Sequence, residues 1–178
     1  MINDIKKVSV TEEEIKTIVE RLGKQINEDY KGRNPLFIGL LKGCMPFMAD
    51  LLKHISIDCT INYLTCSSYA GTESTGSITV KGEVPDVKDR DVIVVDDILD
   101  SGRTINAVKH LFLQHGAKSV SICILLDKPE GRVVDVKPSY VGGLVPNEFV
   151  VGYGLDYNEH YRNLPFIGVL KEEIYSKK

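Results

Sequence analysis

Apolar residues along this chain follow two rhythms. Between Thr11 and Glu28, Ile15, Ile18, Val19, Leu22 and Ile26 recur at helical spacing, which predicts an amphipathic helix with one buried stripe; Thr11 and Glu14 form a capping box at its start. Elsewhere the apolar residues come in short unbroken runs. "LFIGLL", "VIVV" and "SICILL" do not alternate with polar residues, as expected of parallel strands covered on both faces. "PFMADLLKHI", with Pro46 in its first turn, and "TINAVKHLFLQHGA", closed by Gly116, predict helices between these runs. "IDCTINYLTCSSY" and "SITVKGEV" read as a hairpin, and the small polar tip "AGTESTGSI" between them is expected to be a mobile lid. "YVGGLV", "FVVGYG" and "FIGVL" are expected to complete the sheet. The sum is one α/β domain over residues 1–178, with an open, mainly parallel sheet flanked by helices and a smaller flap.

Charge and cysteine usage narrow the function. A net charge of −3 over 178 residues gives no global attraction to nucleic acid or to an anionic membrane, so any anion site must be local. Cys44, Cys59, Cys66 and Cys123 lack C-x-x-C or zinc-ligand spacing and read as reduced thiols of a cytoplasmic protein. The amino terminus lacks the apolar core of a signal peptide, and no run reaches the roughly 18 apolar residues of a membrane span. "GTESTGS" has the glycine spacing of a P-loop without its lysine, and no G-x-G-x-x-G opens a helix, so neither a nucleoside-triphosphate nor a dinucleotide site is expected.

The local candidate is "VIVVDDILDSGRT", residues 92–104. Asp96, Asp97 and Asp100 follow an apolar run, and Ser101, Gly102, Arg103 and Thr104 lie where a helix begins. Free backbone N–H groups at such a start favour a bound phosphate. Two readings are open. In one, Asp100 or Ser101 caps a helix and the paired acids are solvated. In the other, carboxylates accept from the vicinal hydroxyls of a sugar or help hold Mg²⁺, while the helix start takes a phosphate. Paired acids also occur in receiver domains, but there near the beginning of the chain.

From about Pro35 to Gly168 the chain resembles the type I phosphoribosyltransferases, and among them the hypoxanthine-guanine phosphoribosyltransferases. The likeness rests on "LLKG", "SSY" before the flap, "VVDDILDSGRT", "LLDKPEGR" and "EFVVGYGLDYNEHYRNLP", in this order. It implies that family's fold, with a small hood and a flexible flap, and transfer of the phosphoribosyl group of phosphoribosyl pyrophosphate to a 6-oxopurine, with Mg²⁺ as cofactor. By the same likeness Asp96 and Asp97 meet the ribose hydroxyls and metal, Ser101 to Thr104 hold the 5-phosphate, and Asp100 acts at N7 of the purine. Lys42 and Gly43 form the pyrophosphate turn with its unusual cis peptide, and Arg162 contacts the pyrophosphate. Asp156 coordinates Mg²⁺, directly or through water. Lys128 donates to the purine 6-oxo group, Phe149 stacks on the base, and the backbone of Val150 bonds its edge. Ser68 and Tyr69 lead the flap. The first acid of the pair is often Glu in this family and here is the shorter Asp96, and "KGCMP" departs from the common form of its turn. A homodimer or homotetramer is also implied, with no nucleic-acid partner.

Overall fold

Ile93 and Val95 point to one side of their strand, and Val92 and Val94 to the other, each into a different apolar core. In the computed structural model, which describes residues 1–68 and 78–176 without the side chains at 67 and 68, that strand is the centre of the molecule. We number the elements β1 (Ile5–Val10), α1 (Glu12–Asp29), β2 (Leu36–Leu41), α2 (Met45–Leu52), β3 (Thr60–Ser68), β4 (Ile78–Lys81), β5 (Asp91–Leu99), α3 (Arg103–Gln114), β6 (Ser119–Asp127), β7 (Tyr140–Leu144), β8 (Val150–Val151), β9 (Ile167–Leu170) and α4 (Glu172–Tyr175). A six-stranded sheet runs in the order β4-β3-β2-β5-β6-β7, with β4 its one antiparallel member.

Helices α1 and α2 cover one face, burying Ile15, Val19, Leu22 and Ile26 with Phe47, Met48 and Leu51 against Phe37, Ile93, Val95 and Leu125. Helix α3 covers the other through Ile105, Val108 and Phe112, packed on Ile38, Val92, Val94 and Ile124. Each such aliphatic side chain stabilises the fold by about 1.5–3 kcal/mol. This two-sided burial is why the strand runs lack alternation. The Thr11 and Glu14 capping box is formed, with both of its reciprocal bonds present.

The expectation that "FVVGYG" and "FIGVL" complete the main sheet is corrected. They form β8 and β9 of a separate three-stranded antiparallel sheet, order β1-β9-β8, which is the hood. No helical crossover lies between them, and parallel pairing needs one. Strand β1 had no apolar signature in the sequence: Lys6, Lys7 and Val8 are exposed, as suits an edge strand, and only Val10 is buried. Within "IDCTINYLTCSSY" and "SITVKGEV" the hairpin β3–β4 is present; its tip, residues 69–77 with Tyr69, and the lid expectation lie outside the described residues. No described helix is long and apolar enough to cross a membrane.

At the start of β5, Asp91 is buried and accepts from Arg33 and from Ser119 at 2.6 Å. The Arg33 hydrogen bond, with help from Ser119 and Lys118, holds its carboxyl below the usual range. A depressed folded-state pKa adds stability that is complete above the unfolded value of about 3.9 and lost as pH falls through the folded value. Asp91→Asn is therefore expected to lower the melting temperature at pH 7 by about 2–4 °C. In urea titrations repeated from pH 7 down to pH 3, the gap between variant and parent should narrow; a gap that stays constant with pH would refute the assignment.

Candidate active site

In open parallel sheets a crevice forms outside the carboxyl ends of strands where the chain order reverses. Here that point lies between β2 and β5: from β2 the chain steps to β3 on one side, while β5, β6 and β7 follow on the other. Leu41, Asp96 and Asp97 stand at that end, and the Leu41–Lys42 peptide is cis, as expected of the turn. A cavity of about 330 Å³ is lined there by Lys42, Gly43, Asp96, Asp97, Asp156 and Arg162, among others. A second, of about 220 Å³, is lined by Asp96 through Gly102 and by Thr104 and Ile105. The shared lining of Asp96, Asp97, Ile98 and Thr104 makes one trough of the two.

The paired acids differ in setting. Asp97 is buried, and its Oδ1 accepts from Ile98 N at 2.7 Å, while Asp96 Oδ1 accepts from Asp97 N at 3.0 Å. Burial and the neighbouring Asp97 charge push the Asp96 carboxyl well above its usual range, and burial raises Asp97 too. Two like charges withdrawn from water call for a cation or for hydroxyl donors. Gly43 belongs to this arrangement, because a Cβ there would run into the Asp97 carboxylate.

The opening of α3 bears on the two readings of "DSGRT". Gly102, not Asp100 or Ser101, stands at the cap position, in the left-handed region at φ +81° and with no side-chain cap bond, while the Ser101 hydroxyl before it accepts from Arg103 N at 3.4 Å. Thr104 and Gly102 face the smaller cavity, and Arg103 begins the helix at the surface. Past Arg103, the next N–H groups, on Thr104 and Ile105, are of the kind a helix start offers to a ligand.

Asp100 follows β5, its side chain half exposed, with Lys128 Nζ at 3.4 Å from Oδ2. Lys128 N donates to Leu99 O at 3.0 Å, so the ends of β5 and β6 carry the pair side by side. A Cβ at Gly131 would collide with the Asp100 carboxylate. Arg132, which the motif reading quoted without using, clamps this corner: its Nε donates to Asp100 O at 3.0 Å, Nη1 to Val136 O at 2.8 Å, and Nη2 pairs with Asp127. Val133 N and Val134 N both donate to Ser101 O, which fixes the loop from behind.

Across the trough, Arg162 Nη1 donates to Gly154 O at 2.6 Å and Nη2 lies 3.0 Å from Asp156 Oδ1. Glu159, also passed over in the sequence, accepts from Lys42 Nζ at 2.5 Å and from Arg162 Nη2 at 2.8 Å, and these bonds hold its carboxyl below the usual range. Phe149 and Val150 are not among the residues lining either cavity. Phe149 is on the hood, partly exposed, stacked on Tyr175 at 5.0 Å and edge-on to Tyr157 at 5.7 Å, and Val150 is buried opposite Val169. Ser68 closes β3, but its side chain, like Tyr69, lies outside the described residues.

Comparison with known proteins agrees with this geometry. Residues 10–158 match the family model described as the phosphoribosyl transferase domain. The chain is 52% identical over 176 residues, 98% of both chains, to the hypoxanthine-guanine phosphoribosyltransferase of Streptococcus pneumoniae. The chain belongs to the hypoxanthine-guanine phosphoribosyltransferases. Among solved structures, this phosphoribosyltransferase is similar to the hypoxanthine phosphoribosyltransferase of Staphylococcus aureus, with a TM-score of 0.94, 45% identity and coverage of 98% of this chain and 96% of that one. It is also similar to the hypoxanthine-guanine phosphoribosyltransferase of Bacillus anthracis, with a TM-score of 0.87, 41% identity and coverage of 94% and 98%. The phosphoribosyltransferase fold accounts for both sheets, including the hood, two of whose strands the pattern of the chain had put in the main sheet.

Proposed function

We propose that the trough between β2 and β5 binds phosphoribosyl pyrophosphate and that each end of it does a different part of the reaction. The chain is a hypoxanthine-guanine phosphoribosyltransferase, moving the 5-phosphoribosyl group to N9 of hypoxanthine or guanine and giving IMP or GMP and pyrophosphate in purine salvage. The observation that carries the residue assignment is the convergence of Lys42, Asp96, Asp97, Thr104, Asp156 and Arg162 on one cavity.

In this reading the N–H groups opening α3, with Ser101, Arg103 and Thr104, hold the 5-phosphate. Asp96 and Asp97 accept from the ribose hydroxyls. Lys42, the Gly43 backbone and Arg162 take the pyrophosphate, and Asp100 with Lys128 meets N7 and the 6-oxo group of the base. N7 and O6 lie on one edge of a purine, and Asp100 and Lys128 lie side by side. Phe149 and Val150 of the hood supply the stacking face and the backbone partner, and Ser68 and Tyr69 the base of the flap.

The donor set fits Mg²⁺. No group of three or more His, Cys, Asp or Glu able to hold an ion unaided occurs among the described residues. A Mg²⁺ ion binds through one or two carboxylates together with substrate phosphates, and Asp96, Asp97 and Asp156 offer carboxylates around the trough. When bound, the cation offsets charge developing on the leaving pyrophosphate. The chain's own residues orient the ribose, hold N9 in line with C1, and stabilise separated charge, so catalysis is positioning and electrostatics without a protein nucleophile. The same reading includes a homodimer or homotetramer and a cytoplasmic location.

The test is nucleotide formation from phosphoribosyl pyrophosphate with hypoxanthine, guanine and xanthine in turn, before and after chelation of Mg²⁺. Turnover of hypoxanthine or guanine, abolished by the chelator and restored by added Mg²⁺, is the expected result. Undiminished turnover with the metal removed would refute the metal assignment.

A further inference from the structure

Glu159 engages both side-chain cations assigned above to the pyrophosphate, and the Asp156 carboxylate beside them. Its Oε2 lies 2.5 Å from Lys42 Nζ, its Oε1 accepts from Arg162 Nη2 at 2.8 Å, and its backbone N donates to Asp156 Oδ2 at 2.9 Å. Lys42 and Glu159 are 117 positions apart, so the pair joins opposite walls of the trough rather than neighbours on one helix. Arg162 keeps a further donor in reserve, for its Nε is buried with no partner among the described residues.

The loop aims the carboxylate. Asn158, Glu159 and Tyr161 have φ of +50°, +67° and +76°, a region that such residues hold only where their surroundings over-determine it. Those surroundings are the paired backbone bonds of Tyr157 and His160, at 3.2 and 3.0 Å, and the Tyr161 hydroxyl donating to Asp4 at 3.0 Å. The Glu159 side chain is nonetheless 61% exposed, so it has an open way out into solvent.

We propose that Glu159 is an internal stand-in for pyrophosphate: in the empty enzyme its carboxylate holds Lys42 and Arg162 apart from other anions, and it swings out when the diphosphate enters. The proposal rests on the reading that these two cations bind the diphosphate. Its chemistry is an exchange of one oxyanion for another on the same donors, with the Glu159 backbone bond to Asp156 left in place. The exchange weakens pyrophosphate binding and so speeds release of that product.

Calorimetry separates this from a merely structural role. Inorganic pyrophosphate with Mg²⁺, and GMP as a ligand lacking the diphosphate, are titrated into the parent enzyme and into Glu159→Gln, Lys42→Gln and Arg162→Gln. Glu159→Gln keeps the size and the backbone bond and removes the charge. It is expected to tighten pyrophosphate about three- to tenfold, the scale of two partly exposed ion pairs, and to leave GMP unchanged. Inhibition by product pyrophosphate should strengthen by the same factor. Weakened pyrophosphate binding in the two cation variants without tightening in Glu159→Gln would overturn the stand-in alone. Weaker GMP binding in Glu159→Gln would mean that the residue only props the loop, and would overturn it too. Pyrophosphate affinity indifferent to Lys42→Gln and Arg162→Gln would remove the underlying site assignment, and the stand-in with it.

Discussion

Asp100→Asn is expected to lower kcat with hypoxanthine by about 10²–10⁴-fold, the range of one lost general acid–base group, and to leave the Kd for phosphoribosyl pyrophosphate within a few-fold. Size and shape are kept by this change; the negative charge and the ability to take a proton are not. The 5-phosphate is assigned to the opening of α3, which Asp100 does not cap, so the sugar phosphate should still bind. Arg132 holds Asp100 through the backbone oxygen, which the substitution leaves untouched. Single-turnover kinetics with separately measured Kd values check this split. A kcat within threefold of the parent would remove Asp100 from the chemistry, and a matching loss in phosphoribosyl pyrophosphate affinity would make it a binding residue instead.

Adenine is expected to be used with a kcat/KM about 10⁴–10⁵-fold below that of hypoxanthine. Lys128 is mostly buried, its side chain 14% exposed, and its ammonium has donors only. In the proposed site a 6-oxo group would satisfy it, whereas the 6-amino group of adenine would turn donor against donor and leave a desolvated ammonium with Asp100 as its one side-chain partner among the described residues. Lys128→Met should lower activity with hypoxanthine while narrowing the ratio between the two bases. Adenine turned over within tenfold of hypoxanthine would show that another group reads position 6. Guanine differs from hypoxanthine by an exocyclic amine that a backbone carbonyl can accept for about 1 kcal/mol, so both are expected to serve as substrates.

Sequence and structure agree best where one local rule dominates. The α1 stripe and its capping box were legible because helical spacing and end chemistry coincide in Thr11, Glu14, Ile15 and Leu22. Strand β5 was legible because it is covered on both faces. The hood was not: β8 has two residues and β1 is a mostly exposed edge, so neither carries the run of buried residues that marks a strand. Its antiparallel pairing depends on which strands meet across the chain, and periodicity holds no record of that. Among site residues, Asp96, Asp97 and the turn before α3 stood out by local pattern, whereas Lys42, Phe149 and Arg162 were singled out through the family resemblance. Glu159 and Arg132 gave no signal of their own, because a polar residue in a loop looks the same whether it meets water or, as here, two cations or four backbone and carboxylate oxygens.

The hood also sets an order for biosynthesis. Strand β1 holds residues 5–10 and its partner β9 residues 167–170, so β1 leaves the ribosome long before the strand it pairs with. The main sheet ends with β7 at Leu144, so it can take shape on a nascent chain that still lacks both the hood and the trough wall of Asp156 and Arg162. Such a chain has the opening of α3 with Asp96 and Asp97, but neither Asp156 and Arg162 across the trough nor Val150 seated against β9. Loss of the segment after β7 is therefore expected to leave only the sugar-phosphate half of the site, with neither the diphosphate nor the base held for transfer.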